Sequence, residues 1–425
     1  MAKSIEEMIR STKEKYSLDN YFLKNYDIER DVNIYNQTIY KLTMEWIPNE
    51  YKDETNEQLN PPGTAIIELD LPSEKTNTIL FVHEQNKVKE NLLNGNKLED
   101  IIAFIETETK LEYEKDFLFQ GKRGDDYIFQ ACYKSIPLYP EGYIEVKLND
   151  QGKLVHFITL GQFLGNKTVE DQAFTVKKTN MIEQLKQTVK LIQLPDDENQ
   201  RFEKLYGIEE TFITNDEKKL IPYQLLNHEK PILYLNKVMR WDVPEEWTED
   251  LEEYEEDNID LELDIITYEQ VLAEEPSADV LIFQELKESK IIETTKDFLY
   301  KFDPIDSNMW ALTEVYVDNE RIHVNLQLTG DELGLEKLLL LIDPESYEVI
   351  NYFSNEELIL MYMLYEEAEE ERITREEAYK LLKQHITIKP YYVYDRDRDK
   401  YILCGKIDSK HGVHASSGQL VIFNE

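Results

Sequence analysis

Apolar and polar positions alternate along this chain with two different periods, and the switches between them mark its elements. Ile5, Met8 and Ile9; Leu98, Ile101, Ile102 and Ile105; Ile182, Leu185, Val189 and Ile192; and Ala378, Leu381 and Leu382 recur at the spacing that gathers one apolar stripe on a helix. Four amphipathic helices are therefore predicted. The last opens on Thr374 with Glu377 three residues on, a capping box whose side chains satisfy amides that a first helical turn leaves without partners. A period of two appears in Ile322, Val324, Leu326 and Leu328, with His323, Asn325 and Gln327 between them. It returns in Ile67, Leu69 and Leu71 and in Ile144, Val146 and Leu148. One face of each such strand is buried and the other wet, as in antiparallel sheets covered on one side by helices.

The elements recur in one order: a helix, aromatic-rich strands, then a strand, a short polar turn and a strand. The turns are Asn149-Asp150-Gln151-Gly152, Asp343-Pro344-Glu345-Ser346 and His414-Ala415-Ser416-Ser417-Gly418, with turn-forming residues where the chain must reverse. The expected fold is α+β, built of repeated units in which a helix packs on an antiparallel sheet. At roughly 100–200 residues per domain, 425 residues call for several units. They are placed at 1–95, 96–175, 265–360 and 361–425, with a helix-containing extension at 176–243 and an acidic linker or exposed face at 244–264.

The segment Val413-His414-Ala415-Ser416-Ser417-Gly418-Gln419-Leu420 resembles the closing hairpin of PepSY-like domains, which read hydrophobic-Asp-x-x-Thr-Gly-x-hydrophobic. The stretch from Ile342 to Val349 resembles a second copy. Tyr40 to Trp46, Pro62 to Asp70 and Tyr143 to Phe157 are similar to the YcdB/YcdC-type repeat proteins. His414 stands where the pattern has Asp, and Tyr347 where it has Gly. The resemblance implies binding or inhibitory modules and supplies no catalytic residue.

Charge narrows the partners. With 47 basic and 87 acidic residues the net charge is -40, and such a field repels phosphate backbones and anionic headgroups, so neither nucleic acid nor membrane is expected as a partner. The chain is not disordered on that account, because 41% of its residues are hydrophobic and 11% aromatic, enough to build cores. No Lys or Arg falls between Arg240 and Lys287, and acids are densest from Glu245 to Asp264. Glu252, Glu253, Glu255 and Glu256 are the candidate interaction residues there, suited to a basic protein partner, with a solvated linker as the plain alternative. The first thirty residues contain no apolar signal-like core, and the apolar run Leu338 to Ile342 is far short of a bilayer span of roughly 20 residues. A cytoplasmic location is expected, with Cys132 and Cys404 as buried free thiols.

The searched motifs nominate no chemistry. Neither of the glycine-rich phosphate cradles G-x-G-x-x-G and G-x-x-x-x-G-K-[ST] occurs, nor a G-x-S-x-G nucleophile elbow, and no cofactor is expected. His411 and His414 sit at i, i+3, which in a strand points them to opposite faces and away from a shared metal. Asp395, Asp397 and Asp399 begin like a calcium loop, but Lys400 and Lys406 stand where its Gly and Glu belong, so a charged hairpin tip is expected. Trp46, Trp310, Tyr391, Tyr392 and Tyr394 are assigned to packing ahead of a ligand groove. No catalytic, cofactor-binding or metal-ligating residue is therefore expected. The leading expectation is a non-catalytic protein-interaction or regulatory scaffold. Its alternatives are an enzyme with a site assembled between units, recognisable by a deep pocket of perturbed carboxylates or histidines, and an acidic decoy occupying the nucleic-acid site of a basic protein.

Overall fold

A computed structural model describes residues 3–52, 60–93, 95–223, 230–243, 265–305, 307–329 and 337–423. Strand accounts for 41% and helix for 22%. The described strands form three sheets of 14, 4 and 5 strands. The described helices are α1 (Ile5–Lys15), α2 (Leu98–Thr109), α3 (Ile182–Gln187), α4 (Tyr268–Leu272), α5 (Ala278–Glu285), α6 (Glu288–Phe302), α7 (Glu356–Tyr362) and α8 (Arg375–Leu382). None is long and apolar enough to cross a membrane.

The predicted α+β architecture of repeated helix-on-sheet units is corrected by this arrangement. Strand Thr76–Phe81 pairs with Leu154–Leu160, at Ile79↔Phe157 among other positions, so the sheet that follows α1 and the one that follows α2 are a single sheet. The reason is physical: a strand edge with free amides and carbonyls is satisfied most simply by another strand. Residues of α1 and α2 then share one core, with Met8, Ile101 and Ile105 beside Ile67, Ile79 and Phe157.

Two compact units divide the chain. The first comprises Met1–Gln172, Leu263–Ser277 and Tyr391–Leu403. Its strands run antiparallel in the spatial order Tyr21–Val32, Thr38–Pro48, Ala65–Leu71, Thr76–Phe81, Leu154–Leu160, Tyr143–Leu148 and Asp126–Tyr133. Ile136–Tyr139 takes Tyr392 and Val393 as parallel partners, which is how the late segment joins this unit. Ser4 and Glu7 cap α1 reciprocally, and its Ile5 and Met8 are buried.

The second unit comprises Ala173–Glu262, Ala278–Pro390 and Cys404–Glu425. It holds a five-stranded antiparallel meander, Leu233–Val238, Trp310–Asp318, Arg321–Leu328, Lys337–Ile342 and Val349–Ser354. Ile291, Phe298 and Leu299 of α6 are buried in its core with Trp310, Val324 and Leu340. The four-stranded sheet runs Val189–Asp196, Arg201–Ile208, His411–His414 and Leu420–Ile422, and packs Tyr206 and Val413 against Ala378 and Leu382 of α8. The helix expected over Ile182 to Ile192 stops at Gln187. Val189 and Ile192 belong to a strand paired with Arg201–Ile208, where β-branched side chains fit a pleated surface better than a helix. The turns at Asn149, Asp343 and His414 each join antiparallel neighbours.

Candidate functional site

In the first unit, the end of α1, the segment after Glu90 and one face of α2 enclose a pocket of about 260 Å³ lined by Lys15, Tyr16, Glu90, Asp100, Phe104 and Glu108 among others. Asp100, Phe104 and Glu108 reach it together because they sit four residues apart on one helical face.

Glu108 is the chemically loaded residue. It is 4% exposed, and its Oε2 accepts from Tyr16 Oη at 2.6 Å, Thr76 Oγ1 at 2.5 Å and Lys15 Nζ at 2.6 Å. The Tyr16 and Thr76 hydroxyls also lie 2.7 Å apart. Two hydroxyl hydrogens face three oxygen–oxygen contacts, so two of the three are hydrogen bonds at any moment, and the Lys15 ammonium adds a further donor to Glu108 and the balancing charge. Burial, and then the charge of Glu108, hold the Tyr16 phenol well above its ordinary range, so at neutral pH it is a donor and not a nucleophile. The other hydroxyls are occupied locally: Thr107 Oγ1 donates to Ala103 O at 2.8 Å, and Ser17 Oγ to Glu90 Oε2 at 3.4 Å. The lining contains no His or Cys that could activate either one. About 260 Å³ also falls below the roughly 300–1,000 Å³ typical of ligand pockets. The cluster ties α1 to α2 and to strand Thr76–Phe81.

The residues singled out from sequence lie apart. Glu252, Glu253, Glu255 and Glu256, with the whole 244–264 block, fall outside the described residues. His411 stacks on His385 with ring centroids 3.9 Å apart, while His414 opens the last turn. Asp395 and Asp399 bracket a short 3-10 turn, where Asp399 accepts from Tyr394 Oη at 2.6 Å and pairs with Lys167. Among the described residues, no group of three or more His, Cys, Asp or Glu could hold a metal ion. Trp46 and Trp310 are core residues. Cys132 and Cys404 are buried and in no disulfide, and burial pushes the Cys132 thiol up to about 11, far from reactive thiolate.

A feature that sequence reasoning missed lies in the second unit. From Phe353 through α7 to Leu364 the large apolar side chains Phe353, Leu358, Leu360, Met361, Met363 and Leu364 are exposed, and no side chain of α7 is buried. The acidic run Glu366, Glu367, Glu369, Glu370 and Glu371 follows directly. The available signal was an apolar heptad lacking any polar face, set against a block of carboxylates.

No family model matches the chain, and no curated protein matches it. A distant structural neighbour is the Bacillus megaterium YpeB C-terminal domain, 14% identical, covering 52% of this chain and 98% of that domain at a TM-score of 0.27. A likeness this slight carries no reading of function, and no comparison assigns the chain to the YcdB/YcdC-type repeat proteins.

Proposed function

We propose that this chain is a non-catalytic binding module that recognises another protein, basic in character, through exposed apolar side chains framed by carboxylates. The observation that carries the reading is the exposed run from Phe353 to Leu364 leading into five glutamates within six residues. Contiguous exposed apolar surface beside polar residues is the usual mark of a protein-binding site. The net charge of -40 gives that surface a long-range preference for positive partners and accelerates their encounter. The pocket lends an enzyme reading little support, since the Glu108 carboxylate is buried and engaged by Tyr16, Thr76 and Lys15, and no imidazole lines the pocket.

Affinity capture by the tagged full chain from native cell extract, at about 50 mM and about 500 mM salt, tests the reading. A basic protein retained stoichiometrically at low salt and released at high salt is the expected result. Absence of any salt-sensitive partner, together with reproducible turnover abolished by Glu108→Gln, would reject it.

A further inference from the structure

Resting on that reading, we propose that residues 353–371 form the docking platform for a basic amphipathic helix of the partner. Helix α7 has seven residues and buries no side chain. A helix that short has little stability of its own and needs packing to persist. Its N-cap residue makes no capping bond, because the Asn355 side chain accepts from the Lys337 amide at 2.9 Å instead. One side of the segment is nevertheless fixed. Tyr362 and Tyr365 pack on Phe202 with ring centroids 5.8 and 5.7 Å away, and Tyr365 Oη donates to Asp197 at 3.0 Å. Glu366 N donates to Gln200 O, and Phe202 N to Glu366 O, each at 2.9 Å. The tethered side leaves Phe353, Leu360, Met363 and Leu364 outward at 51%, 55%, 74% and 84% exposure.

Charge selects the occupant. Beside the five glutamates of 366–371, the turn at Asp196, Asp197 and Glu198 brings three more acids to the Tyr365 end of the platform. At the Tyr365 end of the platform, Arg201 pairs with Asp196 and Glu203, and Lys204 with Glu371. Glu367, Glu369 and Glu370 make no ion pair among the described residues; Arg372 and Arg375 follow the run, and Arg375 is turned to the carbonyls of Lys186 and Gln187. A second copy seated on this surface by two-fold symmetry would set the same carboxylates against each other. The chain's acidic 244–264 block is repelled for the same reason. A helix with leucine-like residues on one face and Lys or Arg on the other satisfies both halves of the platform, and Met361 and Met363 adapt to varied apolar shapes.

The probe is a fluorescein-labelled helical peptide of about 18 residues, leucines on one face and lysines on the other, titrated with the full chain by anisotropy. Saturable binding is expected, weakened about tenfold or more by Leu360→Ser, Met363→Ser and Leu364→Ser together. The triple Glu367→Gln, Glu369→Gln and Glu370→Gln should weaken it about as much, as should raising salt from about 50 to about 500 mM. A peptide of the same composition with scrambled faces should bind about tenfold more weakly. All six substituted side chains are exposed, so circular dichroism should be unchanged; Leu364→Ser and Glu370→Gln singly replace any triple that fails to fold. Equal binding of both peptides, or binding indifferent to both triples, overturns the proposal. Loss confined to the Gln variant of Glu252, Glu253, Glu255 and Glu256 moves docking to the acidic block, overturning the platform while the protein-binding reading stands. A concentration-dependent dimer in sedimentation velocity, abolished by the apolar triple, assigns the surface to a second copy and also overturns it.

Discussion

Replacing Glu108 with Leu separates a structural clamp from a site held against stability. The substitution removes the acceptor shared by Tyr16, Thr76 and Lys15. Tyr16 and Thr76 can still bond each other across 2.7 Å, so a single buried hydroxyl hydrogen is stranded, costing about 1–3 kcal/mol. Lys15, at 41% exposure, turns to water and adds little beyond the lost ion pair. The net loss should be about 2–4 kcal/mol, or about 5–15 °C in Tm for a cooperative unit of roughly 200 residues. Glu108→Gln keeps an acceptor oxygen and should cost about half as much, and Tyr16→Phe, which removes one bond to a charged acceptor, about 1.5–3 kcal/mol. Scanning calorimetry of the full chain with urea melts of the three variants measures these differences. If Glu108→Leu leaves Tm unchanged or raises it, Glu108 is kept against stability, as functional charges are, and the clamp reasoning fails.

Two further outcomes follow from particular residues. Tyr347 adopts φ +62° in the turn after Asp343, the conformation that favours the Gly of the resembling pattern, yet its Oη accepts from Lys287 N at 3.1 Å and its O from Thr294 Oγ1 at 2.8 Å. Tyr347→Gly should therefore relieve about 1 kcal/mol of backbone strain but forfeit about 3–5 kcal/mol of ring burial, lowering Tm in thermal melts; a raised Tm would contradict this. Burial holds the His323 imidazole below its ordinary range, with Asp318 and Asp279 opposing and Lys230 assisting. Because the unfolded chain binds the proton more readily, stability should fall as pH drops below about 6.5, and His323→Phe, which keeps the stack on Tyr316, should stay flat to about pH 5 where carboxylates take over. Parallel urea melts from about pH 7 to about pH 5 decide it, and identical slopes would remove His323 as the cause.

Much of the local structure was legible because it rests on short-range periodicity. The stripes at Ile5, Leu98 and Ala378 mark α1, α2 and α8, and the alternation at Ile322, Ile67 and Ile144 marks strands whose apolar residues are buried apart from the half-buried Leu328 and Leu148. The longest described helix, α6, obeys the same rule through Ile291, Thr295, Phe298 and Leu299, but its stripe is interrupted by the polar Thr295. Val189 and Ile192 fit a helical spacing by coincidence; only pairing with Leu205 and Ile208 decides for a strand. The merging of two expected units into one sheet depends on contacts between Ile79 and Phe157, too distant in sequence for any local period to carry. Glu108 was invisible for a related reason. It is one carboxylate among 87 acidic residues, and its partners Tyr16 and Thr76 stand 92 and 32 positions away. The run at α7 was readable as apolar, but exposure is a property of what the rest of the fold leaves uncovered.

Hydrogen exchange of the full chain, followed by mass spectrometry with and without the salt-sensitive partner from native extract, tests the central claim most directly. Slowed exchange across residues 353–371, where α7 gains the packing it lacks, is the predicted footprint. Protection confined to the pocket segments at 15–17 and 90–108, with 353–371 unchanged, would place recognition at Glu108 and contradict the account.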